Sequence, residues 1–233
     1  MSLSKLLGVW LLAAFALTAS ARELVLVSMS ETPVKEMQRF QPLANYLAAG
    51  LKDQGITGGK VVIVPDIAAA AQVLREGRGD MITASPYPTL AISEMAGTRV
   101  VLRRWKNAKV DYHSVFVTRA DSPLKSLADL KGRSLAFESP NSTSGYFLPT
   151  AVLTAEGYRL RQVSGGQAGG AEEVAYSFSG APENTAVWVL HKRVDAAAIG
   201  IHDWEDLKPA ERAQLRIFHA TKTVPRQLVS LKH

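Results

Sequence analysis

Val61-Val62-Ile63-Val64-Pro65-Asp66-Ile67-Ala68-Ala69-Ala70-Ala71-Gln72-Val73-Leu74-Arg75-Glu76-Gly77 reads as a buried strand running directly into a helix. Four consecutive β-branched residues suit a strand covered on both faces, and Gly77 stops a helix that begins at Ile67. The same unit recurs on either side. Upstream, Glu23-Leu24-Val25-Leu26-Val27-Ser28 is another short buried strand. Over 33–52, Val34, Met37, Phe40, Leu43, Tyr46, Leu47 and Leu51 recur at helical spacing and give one apolar face, with Pro42 predicting a break into two shorter helices. Downstream, 81–84 is a third strand and 89–95 a third helix. Strand and helix alternating at this rhythm predict a largely parallel sheet with helices on both faces, so the fold class is α/β.

The 233 residues are 47% apolar and 21% charged, the balance of an ordered chain of one large or two small domains. There is no cysteine, which excludes disulfides, thiolate metal sites, a cysteine nucleophile and a lipid anchor attached through a thiol. A surplus of 27 basic over 21 acidic residues favours an anionic partner, but the scattered cations give no nucleic-acid footprint. Residues 1–21 carry Lys5, the apolar run from Leu6 to Leu17, and Ala19-Ser20-Ala21, the layout of a secretory signal peptide cleaved after Ala21. The run is shorter than the roughly twenty residues a membrane span needs.

Beyond residue 100 a second unit begins. Residues 99–103 and 112–119 read as strands, 122–130 as a short capped turn, 134–137 as a strand, 145–156 as a helix, 183–192 as a helix and 195–200 as a small-residue strand. Two α/β lobes are expected, 22–104 and 105–210, with a ligand cleft that closes by hinging. Residues 211–233 are read as a return segment toward the first lobe. Its extended stretch from Val224 to Leu231 has no terminal helix to cover it, so a shortened C-terminal part is expected.

Phe137-Glu138-Ser139-Pro140-Asn141-Ser142-Thr143-Ser144-Gly145 follows a strand and opens a helix, setting three hydroxyls in a row where backbone N–H groups lack internal partners. Such an end suits a phosphate-like oxyanion, and Gly145 permits close approach. Pro149 fits a helix start near Ser144 or Gly145, whereas a start at Ser142 requires a distorted first turn. Ordinary capping is the competing reading of the same hydroxyls.

Tyr112 through Arg119, then Asp121-Ser122-Pro123 through Asp129-Leu130-Lys131-Gly132, then Pro140-Asn141-Ser142-Thr143-Ser144-Gly145 and Pro149 resemble the periplasmic phosphate/phosphite/phosphonate-binding components of ABC transporters. The likeness extends to Arg193–Ala197 and to Val224-Pro225. It implies a two-lobed type II periplasmic-binding-protein fold in which Ser142, Thr143 and Ser144 hold the phosphoryl oxygens. It further implies an aromatic site residue at Tyr112 and cleft residues at Ser85 and Tyr87. It implies a binding protein and not an enzyme, monomeric and free in the periplasm, without cofactor or metal, that serves an ABC permease. The alternative partner is a membrane sensor kinase. Three features depart from the pattern: Ile67 stands where many relatives have an aromatic residue, Gly180-Ala181-Pro182-Glu183 lacks the histidine some relatives use, and relatives usually continue past the Val224-Pro225 region. Phosphate, phosphite and phosphonate all stay open as ligands.

Other residues have plainer readings. His113 is a lone strand histidine, and His202 with Asp203 and Glu205 lacks a second histidine at fixed helical spacing. Trp105, Trp188 and Trp204 suit packing. Arg99, Arg103, Arg104, Lys106 and Lys109 form one basic cluster, read as a solvated loop or a docking patch. No Gly-x-Ser-x-Gly elbow or His-Glu-x-x-His motif points to hydrolysis.

Overall fold

The computed structural model describes residues 21–30 and 32–232. The leader expected over 1–21 therefore lies outside the described residues apart from Ala21. In chain order the first unit comprises β1 (Arg22–Met29), α1 (Pro33–Ala49), β2 (Ile56–Val64), α2 (Ile67–Arg75), β3 (Met81–Ala84), α3 (Pro86–Ala96) and β4 (Thr98–Arg104). A crossover strand β5 (Asp111–Tyr112) leads into β6 (Ser114–Arg119), β7 (Ser134–Phe137), α4 (Leu148–Ala155), β8 (Arg159–Gln162) and β9 (Glu173–Phe178). The second unit continues with α5 (Pro182–Leu190), β10 (Ala196–Gly200), α6 (Ile201–Glu205), α7 (Pro209–Arg212) and β11 (Leu215–Ala220). The chain then returns through β12 (Val224–Pro225) to β13 (Gln227–Lys232).

Eleven strands form two large sheets, in the orders β2-β1-β3-β13-β4 and β11-β6-β10-β7-β9-β8, and β12 and β5 form a two-stranded third, so the molecule is a two-lobed α/β protein. The chain passes between lobes twice, and the two passages pair with each other, Tyr112 opposite Val224 and Asp111 opposite Pro225. In the first lobe β1 lies parallel to both β2 and β3. Its Leu26 and Val27 are fully buried, one on each face, which accounts for the unbroken apolar reading of this strand. Asp66 caps α2 by accepting the Ala69 N–H at 2.8 Å, and the helix buries Ala70, Ala71, Val73 and Leu74 at helical spacing.

Four expectations change. Pro42 does not break α1. It lies on the exposed side, as does Gln38, whose carbonyl loses its helical amide partner where water can replace it. Strands β8 and β9 were not apparent from sequence: Arg159-Leu160-Arg161-Gln162 is a mostly exposed polar edge, while Val174, Tyr176 and Phe178 at alternate positions are a strand signal that the preceding glycine-rich loop obscures. Helix α3 starts at Pro86, because prolines fit a first turn whose amides need no partner. Finally, 211–233 does not return as one segment. β11 pairs antiparallel with β6 and completes the second sheet, and only β12 and β13 lead back. β13 inserts between β3 and β4, antiparallel to both.

Candidate functional site

The Ser142–Gly145 segment leaves the C-terminal end of β7 and enters α4 through a widened turn over Thr143–Phe147. Pro149 is the cause. It has no N–H for the Gly145 carbonyl, and the Glu138 amide takes that carbonyl instead at 2.9 Å. Ser142 is the N-cap, its Oγ accepting the Gly145 N–H at 2.9 Å, while the Phe147 amide reaches back five residues to the Ser142 carbonyl at 3.0 Å. A start at Ser142 with a distorted turn is thus what forms. Two glycines make room for it. A Cβ on Gly145 would lie 2.5 Å from the Glu138 Cβ, and one on Gly200 would lie 2.9 Å from Ser144 Oγ.

The three hydroxyls have different duties. Ser142 Oγ donates to Glu138 Oε2 at 2.7 Å, so both its donor and its cap lone pair are committed. Thr143 is buried and crosses to the first lobe, where its Oγ1 donates to Ser85 Oγ at 2.8 Å and accepts the Tyr87 N–H at 3.0 Å. Ser144 is also buried and makes no hydroxyl hydrogen bond among the described residues, which leaves its donor for a ligand. The amides of Thr143 and Ser144 open the turn ahead of its first internal hydrogen bond.

These groups face a cavity of ≈ 380 Å³ between the lobes, lined by Ser85, Tyr112, Ser142, Thr143 and Ser144 among the expected residues. Tyr87 is the exception. Its ring is not part of the lining but stacks on Phe147 of the other lobe, 4.5 Å between centroids and 9° from parallel. Its position in the first turn of α3 puts the backbone amide on Thr143 and turns the ring to the lobe contact. Tyr112 is buried, with the Arg226 guanidinium 4.4 Å from its ring centre. Burial pushes the Tyr112 phenol above its ordinary pKa, against the Thr143 hydroxyl and the Arg226 charge, so it stays a neutral hydroxyl at pH 7.

The cavity also holds charges that sequence reasoning did not place there. Arg39, Arg104, Lys106 and Arg226 line it, together with Glu36, Glu138 and Asp203. The basic cluster at 99–109 is therefore split. Arg103 pairs with Asp111 and Lys109 with Glu205, while Arg104 and Lys106 face the cleft. Alternation along β4 separates Arg103 from Arg104 and is the signal that could have found them. Burial, then the Arg226 charge, holds Lys106 below its usual pKa. Burial raises the Glu138 and Asp203 carboxyls above the usual range. Gly180, Ala181 and Pro182 line the cavity and offer no side-chain donor. His202 lies aside, 3.0 Å from Glu205.

Residues 25–233 match the family described as "ABC transporter, phosphonate, periplasmic substrate-binding protein". Over 120 residues the chain is 31% identical to the probable ABC transporter phosphite binding protein PhnD1 of Prochlorococcus marinus (strain MIT 9301); that match takes in 48% of this chain and only 38% of the relative's length. Among solved structures, XAC2383 from Xanthomonas citri is similar in both its chloride-bound form (TM-score 0.87, 28% identity) and its ATP-bound form (0.85, 27%), each covering 92% of this chain and 78% of that one. PhnD1 from Prochlorococcus marinus in complex with methylphosphonate shares the fold at TM-score 0.64 and 19% identity, over 91% of this chain and 76% of that one.

Proposed function

Because the chain belongs to the family of periplasmic substrate-binding components of phosphonate ABC transporters, we propose that its cleft captures a phosphorus oxyanion and hands it to an ABC permease. The observation that carries this reading is the convergence on one cavity of the Ser144 hydroxyl, the opening amides of the Thr143 turn, the Tyr112 phenol and four cationic side chains. A phosphoryl group presents several acceptor oxygens and no donor at full ionisation, so it matches a wall built of donors. Phosphite, methylphosphonate and the phosphates of ATP, the ligands named for relatives, share that tetrahedral oxygen face. The phosphoryl group seats on Ser144 and the turn amides, Tyr112 donates from the hinge, and the Thr143–Ser85 hydrogen bond holds the two lobes together beside it. The same reading has the chain exported by cleavage after Ala21 and acting as a monomer in the periplasm.

A thermal-shift panel of phosphate, phosphite, methylphosphonate, 2-aminoethylphosphonate and sulfate tests it. At a hundredfold excess over Kd, binding to the native state alone adds about 2.7 kcal/mol, roughly 5–10 °C for a chain of this size. A shift with at least one phosphorus compound that exceeds the sulfate shift is expected. A cooperative melt that none of them moves overturns the reading.

A further inference from the structure

Three cations on the first-lobe and hinge side of the cavity have no carboxylate within ion-pair distance among the described residues. Arg104 uses its guanidinium on neutral groups, donating from Nε to Thr83 Oγ1 at 2.8 Å and from Nη2 to Gln227 Oε1 at 3.1 Å. Arg226 lies over the Tyr112 ring. Lys106 makes no side-chain hydrogen bond among the described residues, and burial together with the charges of Arg226 and Arg39 disfavours its protonated form, outweighing the opposing Glu36 carboxylate. Arg39 differs, since Glu36 pairs with it at 3.4 Å.

Half-buried cations that repel one another are costly to assemble, and the cost is offset when a ligand brings the missing charge. The carboxylates on the opposite wall supply it only in part, Asp203 through the Arg226 and Lys106 charges and Glu138 through Lys106, with none within ion-pair distance among the described residues. Glu138 is occupied by the Ser142 hydroxyl at 2.7 Å and Asp203 by the Gly200 amide at 3.2 Å, and burial shifts both toward their neutral forms. The cavity of ≈ 380 Å³ is far larger than one phosphate and falls in the range of about 300–1,000 Å³ that holds whole small molecules.

We propose that the solute carries a second anionic group linked to its phosphoryl group, as an oligophosphate does, and that Arg104, Lys106 and Arg226 bind this second group while the Ser144 turn holds the first. The inference rests on the phosphorus-oxyanion reading and specifies its charge class. One linked pair of anions spans the cleft from the second-lobe turn to the hinge and first-lobe cations, so it draws both walls together where a lone phosphoryl group reaches one.

Titration calorimetry at fixed ionic strength with phosphate, methylphosphonate, pyrophosphate and tripolyphosphate decides it. Pyrophosphate or tripolyphosphate is expected to bind at least about tenfold tighter than methylphosphonate, the gain of one or two charge-assisted hydrogen bonds. Lys106→Gln and, separately, Arg226→Gln are expected to weaken the oligophosphates about tenfold more than they weaken methylphosphonate. Lys106 holds no side-chain hydrogen-bond or ion-pair partner among the described residues, so its variant keeps the test clear of misfolding, and melting curves check both. Oligophosphates that bind no tighter than methylphosphonate overturn this inference and leave the proposed function standing. Equal losses for both ligand classes in the variants also overturn it, because the cations then serve the single phosphoryl group. No binding of any of the four overturns both.

Discussion

The Ser142 hydroxyl accepts the Gly145 amide and donates to Glu138, while Ser144 two residues on keeps its proton free. Three adjacent hydroxyls read alike in the sequence, and only the backbone around them separates a cap, a lobe-to-lobe contact and a free donor. Glu138 is the residue on which the arrangement turns. Its folded pKa is raised by burial, so the stability it contributes is full below the ordinary carboxylate pKa and is lost as pH rises through the raised value. Glu138→Gln removes that dependence. It is expected to stabilise the protein by about 1 kcal/mol at pH 7 relative to wild type, with the difference vanishing near pH 4. Melting curves of both proteins across that range check it; a difference that does not change with pH contradicts the assigned state of Glu138.

The widened turn before α4 was legible as a conditional: the position of Pro149 meant that a start at Ser142 had to be distorted, and it is. What the sequence could not show is which group would take the carbonyl that the proline orphans, because the Glu138 amide arrives through tertiary structure. The same limit hid β8, a polar edge strand held by its pairing with β9 and by Leu160 against the core. Helix α2, by contrast, was readable to within a residue because cap, apolar face and stop are all local. Gly145 is where the turn is least tolerant. In Gly145→Ala the new methyl meets Glu138 at 2.5 Å and Ser142 Oγ at 3.0 Å. A loss of about 1–3 kcal/mol in chemical denaturation is expected, with weakened methylphosphonate binding. Wild-type stability and affinity in this variant would show that the turn does not depend on that close approach.

The two-lobed α/β architecture followed from alternating elements, yet the composition of the cleft did not. Its walls join Ser85 to Thr143 and Arg104 to Gln227 across long stretches of sequence, and no local pattern encodes such pairs. Lobe contact itself is built from few groups, the Tyr87–Phe147 stack and the hydrogen bonds on Thr143. A stacked pair contributes about 0.5–1.5 kcal/mol beyond its buried area. Tyr87→Ala is therefore expected to raise the radius of gyration of the ligand-free protein in X-ray scattering and to weaken methylphosphonate binding roughly three- to tenfold. Unchanged scattering and affinity would assign Tyr87 no part in closure. Capture at the Ser144 turn is tested most directly by calorimetric titration of wild type and Ser144→Ala with methylphosphonate. A saturable one-to-one isotherm, weakened about tenfold or more by loss of the Ser144 hydroxyl, is the expected result. An isotherm that is the same in both proteins would place the ligand elsewhere and contradict the site.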